Sequence, residues 1–243
     1  MASLRISILA VPLFFVAPAF AEDAAPSALT TATMNPVVAD AGWKFASDKG
    51  GVSVWFRPFP ASSVNEVRGE AVFDVAADAL FAVLGDIDAY AEIMPPTSLS
   101  KRLSDGTSAR SYYIEIDPPV VSRRYYCMDV VLSRPRVDQF VSEWRMWPQG
   151  CSPRARSMVQ MADNSGRWRL SSLGPLKTKV EFQAHMDPGG QIPTWMVNRT
   201  TVGQIANTFA SLRRAAQSPR YAAMTKPEPQ GEPERPSVSS KTN

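Results

Sequence analysis

Polar and apolar residues alternate with period two through most of the middle of this chain. In Ser111–Asp117, Tyr112, Ile114 and Ile116 fall on one side and Tyr113, Glu115 and Asp117 on the other. In Arg124–Ser133, Tyr126, Met128, Val130 and Leu132 share a face, with Arg124 at the same parity. Phe140, Trp144 and Met146 share one in Asp138–Trp147, opposed by Glu143 and Arg145; Arg134-Pro135-Arg136 reads as the turn between these two segments. Residues 155–170 predict another strand, ending in Trp168 and Leu170 between Arg167 and Arg169. In Thr178–Asp187, Val180, Phe182, Ala184 and Met186 alternate with Lys179, Glu181, Gln183 and His185. Alternation sustained over successive hairpins predicts an antiparallel sheet with one apolar face. Upstream, Val52–Arg57 and Val64–Phe73 read as two more strands. Val75, Ala79, Ala82 and Val83 then make one face of a helix that Asp74 can cap, and a short helix follows over Ile87–Ile93, ended by Pro95-Pro96.

The period changes to 3.6 after Asp187-Pro188-Gly189-Gly190. Trp195, Val202, Ile205, Phe209 and Leu212 form a stripe on a helix of about six turns, with Pro193 in its first turn. An apolar helix stripe and a one-sided sheet each need cover, and packing one in the other gives an α+β grip.

Both ends of the chain read differently. Arg5, the apolar run Ile6–Val16 and Ala19-Phe20-Ala21 form a secretory signal peptide over residues 1–21, too short for a membrane span. It implies a periplasmic or secreted protein cleaved after Ala21. Residues 22–36 read as a flexible linker, 37–217 as the folded domain, and 218–243, with five prolines among polar residues, as a disordered tail. Cys127 and Cys151 would meet an oxidising compartment, which permits a disulfide. The pattern nevertheless puts Cys127 in mid-strand and Cys151 in a turn about one hairpin away, so the two are expected to stay apart.

Charge adds little. The net charge of +3 is too weak to argue for nucleic acid. Between positions 123 and 169 nine arginines face four acids, which reads as a solvated sheet face and, more sharply, as a surface for transient contact with anionic membranes. The chemistry expected of an enzyme is sparse. His185 is the single histidine, and alternation puts it on the polar face as a solvated side chain away from the sheet's apolar side. One histidine and two cysteines at unrelated spacing meet no metal pattern, and no nucleophile elbow, phosphate loop or dinucleotide fingerprint is present. Neither metal nor cofactor is expected, and the protein is expected to be a non-enzymatic monomer.

Several stretches resemble one family. Gly42-Trp43-Lys44 and Asp48-Lys49-Gly50-Gly51-Val52-Ser53-Val54 resemble its first segment; Pro118-Pro119-Val120-Val121-Ser122-Arg123-Arg124 and Gly166-Arg167-Trp168 resemble two of its strands. The unbroken run from Asp187 through Pro188-Gly189-Gly190-Gln191-Ile192-Pro193-Thr194-Trp195-Met196-Val197 to Asn198 resembles its strand-to-helix junction. Residues 43–214 are thereby similar to a START domain, the steroidogenic acute regulatory protein-related lipid-transfer family. The resemblance implies a helix-grip fold of the START and Bet v 1 type: a curved antiparallel sheet wrapped around a long C-terminal helix, with a lipid in an apolar cavity between them. One position departs from the family. Tyr125 follows Arg124 where the family usually has Asp, so a charged pair of some sterol-binding members does not carry over.

On that reading the cavity-facing candidates are Tyr112, Ile114, Arg124, Tyr126, Met128, Phe140, Trp144, Met146, Trp168 and Phe182 from the sheet. Trp195, Val202, Ile205 and Phe209 join them from the helix. A buried Arg124 needs a partner: Glu115 or Asp129 by preference, an anionic headgroup otherwise. The expected function is binding of a hydrophobic ligand for lipid transfer or sensing in the cell envelope. The alternatives are a polyketide cyclase-like enzyme on the same fold, which would need a His or acid in the cavity, and a non-transporting interaction module. Gly189-Gly190 and Gly203 mark the helix as a candidate gate; Gly203 either weakens it or lets it approach the sheet closely.

Overall fold

The computed structural model describes residues 42–223 except Ala61, Pro119, Val120 and Pro148. The expected signal peptide and linker, the first residues of the expected domain, and positions 224–243 lie outside the described residues. The strands are β1 (Lys44–Lys49), β2 (Val52–Arg57), β3 (Glu66–Phe73), β4 (Thr97–Asp105), β5 (Arg110–Ile116), β6 (Arg124–Arg136), β7 (Gln139–Met146), β8 (Val159–Gln160), β9 (Asp163–Gly174) and β10 (Lys177–Asp187). The helices are α1 (Ala77–Gly85), α2 (Tyr90–Ile93), α3 (Thr194–Ala216) and α4 (Pro219–Ala222).

The sheet runs β1-β2-β3-β10-β9-β7-β6-β5-β4, and every neighbouring pair on this path is antiparallel. It is curved but not closed. β8 pairs with β6 in parallel, at Arg124 and Tyr125. The reason is length: β7 accompanies β6 only as far as the Met128–Met146 pair, so the first residues of β6 have a free edge that β8 fills.

Helix α3 lies against the inner face, and one residue sets how closely. Gly69 of β3 pairs with Phe182 of β10, and a Cβ there would stand 2.8 Å from the Phe209 ring and 2.9 Å from Ile205. The missing side chain lets the helix settle onto the sheet. Gly203 has no such role, because nothing lies within 4 Å of where its Cβ would be. Apolar side chains gather in two main inward clusters. The larger joins α1 and α3 to β2, β3, β9 and β10; the smaller joins Ile87 to β5 and β6. Trp144, Met186 and Tyr90 touch both clusters. The two do not merge, and the space between them is the cavity described below.

The structure departs from the sequence reading in several places. Two strands, β1 and β4, carry no clear alternation because they are the edges of the sheet; both are largely exposed and their registers are irregular. Asp74 does not cap α1, which starts after Ala76 without a side-chain cap. β6 continues through Pro135, and the turn falls at Val137-Asp138. The stretch 155–170 is not one strand but β8, a break and β9.

At the C-terminal end the described fold continues past position 217. Ser218 precedes α4, whose Tyr221 is buried and donates a 2.8 Å hydrogen bond to Asp86. Cys127 and Cys151 are bonded, with Cα atoms 5.7 Å apart, contrary to the expectation that they stay separate. The Trp147 amide extends the β6–β7 ladder by one bond, to the Cys127 carbonyl, and the turn at Gln149-Gly150, with Gly150 at a positive φ of 77°, then brings Cys151 back over the outer face of β6. There the disulfide packs with Tyr113, Tyr125 and Met158 in a third apolar cluster.

Candidate functional site

Between the two inner clusters lies a cavity of about 290 Å³. Its sheet wall is built by Tyr126, Met128 and Val130 of β6, Ser142 and Trp144 of β7, Asn164 and Trp168 of β9, and Phe182 and Met186 of β10. Alternation places these side chains, because each occupies the inward parity of its strand. The facing wall is α3, through Met196, Val197, Thr200, Thr201, Gln204, Ile205 and Thr208. Ile87, Tyr90, Met94, Pro95, Pro96 and Thr97 close one side, while Pro118, Val121, Pro188 and Ile192 stand near the start of α3.

The sequence-derived candidates divide. Tyr126, Met128, Trp144, Trp168, Phe182 and Ile205 are brought together on the cavity wall. Tyr112, Ile114, Phe140 and Phe209 have the expected parity but are packed solid within the apolar clusters, and Val202 packs against the larger one. Met146 packs against the smaller cluster. Trp195 is 64% exposed, because α3 turns that side of its first turn outward. The wall residues the sequence reading passed over include, besides apolar ones such as Met94, Met161 and Met196, the polar side chains Ser142 and Asn164 on the sheet and Thr200, Thr201, Gln204 and Thr208 on the helix. The spacing 200, 204, 208 was the available signal, since it continues one line along a helix.

Arg124 needs a correction too. It is 3% exposed, but neither Glu115 nor Asp129 is its partner. Its Nε donates to the Pro188 carbonyl at 3.4 Å and its NH1 to the Ser122 carbonyl. Glu115 instead accepts from the Tyr113 hydroxyl at 3.0 Å and pairs with Arg154, and Asp129 accepts from Ser111 and Trp147. Arg124 therefore ties the start of β6 to the loop before α3 rather than lining the cavity. Burial pulls its guanidinium below the ordinary arginine value.

His185 is not solvated. It is 4% exposed, stacked beneath Phe59 with ring centroids 3.9 Å apart, and its Nδ1 lies 2.6 Å from Asp163. The parity argument does place it opposite Ala184 and Met186, on the side of β10 away from the cavity. The residues around Phe59 also fasten α3: the Asn65 amide donates to Asn198 at 3.0 Å, and the hydroxyls of Ser63 and Thr194 are 3.1 Å apart.

The polar groups of the cavity are arranged among themselves. Trp144 Nε1 donates to Asn164 Oδ1 at 2.9 Å, and Asn164 also hydrogen-bonds Tyr126. The Tyr90 hydroxyl donates to the Leu84 carbonyl at 3.0 Å. Burial drives the Tyr90 and Tyr126 phenols well above the ordinary tyrosine value, so both stay neutral. Among the described residues no Asp, Glu, Lys, Arg or His lines the cavity. A largely apolar cavity, open to solvent on one side, with a few fixed polar groups can hold an apolar or amphipathic small molecule.

Known proteins share this architecture. A crystal structure of a STAR-related lipid transfer protein from Xanthomonas axonopodis superposes with a TM-score of 0.65 at 27% identity, covering 73% of this chain and 99% of that one. An uncharacterized protein of Pseudomonas aeruginosa is 27% identical over 218 residues, 88% of this chain and 97% of the relative. Human phosphatidylcholine transfer protein is 24% identical over 203 residues, 76% of this chain and 88% of the relative. The START-type fold read from the strand-to-helix junction and its companion segments is thus the fold the chain adopts. Residues 73–201, more than half of the chain, match the family described as polyketide cyclase / dehydrase and lipid transport, and the chain belongs to that family.

Proposed function

We propose that this protein binds a hydrophobic ligand, a lipid, in the cavity between its sheet and α3, and carries or senses it in the cell envelope. The observation that carries this reading is the apolar cavity between sheet and helix. Protein interiors pack to crystal-like density, so an apolar gap of about 290 Å³ between two well-packed clusters is a departure that a bound molecule would relieve. Names of the relatives support the ligand class, since two of them are lipid transfer proteins.

The reading is of a binding protein rather than a catalyst. General acid–base chemistry needs a positioned group that exchanges protons near neutral pH. The described walls offer amides, hydroxyls and phenols held neutral by burial, and the one histidine sits behind the sheet. The envelope location rests on the signal-peptide pattern of residues 1–21, and the Cys127–Cys151 bond is consistent with an oxidising compartment. No helix among the described residues is long and apolar enough to cross a membrane. Transient contact with anionic membranes rests on the arginine-rich stretch. Three of its members are already paired, Arg123 with Asp117, Arg134 with Asp78 and Arg154 with Glu115, while Arg136 and Arg156 remain exposed.

The test is binding of a neutral fluorescent probe, Nile red, to the wild type and two variants. Met128→Asp places a carboxylate on an apolar wall, where ionisation is heavily penalised. Trp144→Ala removes the side chain that bridges both clusters. Each is expected to weaken Nile red binding at least tenfold while the far-ultraviolet circular dichroism stays that of a folded protein. Wild-type affinity in both variants would mean the probe does not occupy this cavity.

A further inference from the structure

The cavity's own hydrogen-bonding inventory narrows its ligand. This step rests on the binding reading above and concerns what kind of lipid it favours. No charged side chain lines the cavity among the described residues, and its phenols are held neutral. A charged group drawn inside would meet no counter-charge and would lose its hydration, a cost of several kcal/mol. The nearest buried cation, Arg124, stands behind the loop at Pro188 with its donors turned to the carbonyls of Pro188 and Ser122.

The helix wall goes further than neutrality. Thr200 donates its hydroxyl proton to the Met196 carbonyl at 2.9 Å, Thr201 to Val197 at 2.8 Å, and Thr208 to Gln204 at 3.0 Å. A threonine hydroxyl has one proton and two lone pairs. With the proton committed to the helix backbone, what each of the three still offers is acceptance, at half-buried positions for Thr201 and Thr208 and at an exposed one for Thr200. A row of acceptors along one wall is matched by a donor on the ligand, and is not matched by an ester or a carboxylate. Opposite, Ser142 and the Asn164 amide stand on the sheet wall, where a group that both donates and accepts can be satisfied.

Size points the same way. The helix wall extends from Met196 to Thr208, about 18 Å of helix at 1.5 Å per residue. The volume of about 290 Å³ lies at the lower end of the usual range for small-molecule pockets, so the space is long and narrow. We infer that the preferred ligand is an uncharged, single-chain lipid carrying a hydroxyl group, the hydroxyl being received by the threonine row of α3.

Displacement of Nile red from the full-length mature protein tests this with three probes of one chain length: 1-hexadecanol, methyl hexadecanoate and hexadecanoate at pH 8. The alcohol is a neutral donor, the ester a neutral acceptor, and the carboxylate charged. Hexadecanol is expected to displace at a concentration at least tenfold below hexadecanoate and several-fold below the ester. The double variant Thr201→Val, Thr208→Val keeps shape while removing two acceptors; it is expected to erase the alcohol's advantage over the ester, each displacement being read against the variant's own Nile red affinity. Equal displacement by ester and alcohol in the wild type would overturn the donor requirement. Hexadecanoate displacing as well as hexadecanol, with that strength lost in Arg124→Gln, would overturn neutrality and make the mouth guanidinium a headgroup site. Displacement by none of the three from a protein that binds Nile red would overturn the inference alone, whereas failure to bind Nile red would overturn the binding reading with it.

Discussion

Phe209→Ala is expected to lower the unfolding free energy by about 3–5 kcal/mol, the range for removing a large buried aromatic side chain. Phe209 is fully buried where α3 meets the sheet. Its ring centroid lies 5.1 Å from that of Trp168, 6.1 Å from Phe73 and 6.4 Å from Phe182, so it holds three strands to one helix. The backbone cannot close the resulting hole easily, because at Gly69 the sheet presents no side chain that could move into it. Urea denaturation checks the value. A loss under 1 kcal/mol would mean that α3 is not anchored here. Because Phe209 is packed into the core rather than set on the cavity wall, its loss should show in stability before it shows in ligand selectivity.

Removing the disulfide with the double variant Cys127→Ala, Cys151→Ala is the second large effect. The bond closes a loop with a sequence separation of 24, for which restriction of the unfolded chain gives about 3 kcal/mol. At this chain length that corresponds to a fall in melting temperature of roughly 10 °C. The bond lies on the outer face of β6, away from the cavity, beside Tyr113 and Tyr125. Ligand affinity at 25 °C should therefore change little. An unchanged melting temperature would show that the loop after β7 is held by its apolar contacts alone.

What the sequence revealed follows from where water is. β5, β6, β7, β9 and β10 each present one face to the protein interior, so alternation at positions such as 126, 128 and 130 announces both the strand and its inward side. β1 and β4 have water near both faces and no such constraint. Parity tells which face a residue takes, not whether that part of the face is packed or empty. Phe140 and Trp144 share a parity, yet Phe140 is sealed in the core beside Phe81 and only Trp144 reaches the cavity. That difference depends on where α1 and α3 rest, which is set by distant contacts such as the one at Gly69. Arg124 illustrates the same limit. Its burial was foreseeable from parity, but its partners are carbonyls of two loops, and loop paths leave no period in the sequence. Cys127 and Cys151 meet because the turn at Gln149-Gly150 reverses the chain directly after β7. The threonine row was overlooked because polar residues on a helix are ordinarily read as its solvent face, whereas α3 shows water only part of that side.

Native mass spectrometry of the full-length protein, purified from its own host without detergent, tests most directly whether the cavity is a lipid site. The expected spectrum contains a population heavier than the bare polypeptide by the mass of one small lipid. That added mass should disappear in Trp144→Ala and in Met128→Asp while the folded charge-state distribution is kept. A spectrum of bare polypeptide, from a protein that also fails to take up Nile red, would contradict the assignment of the cavity to a lipid.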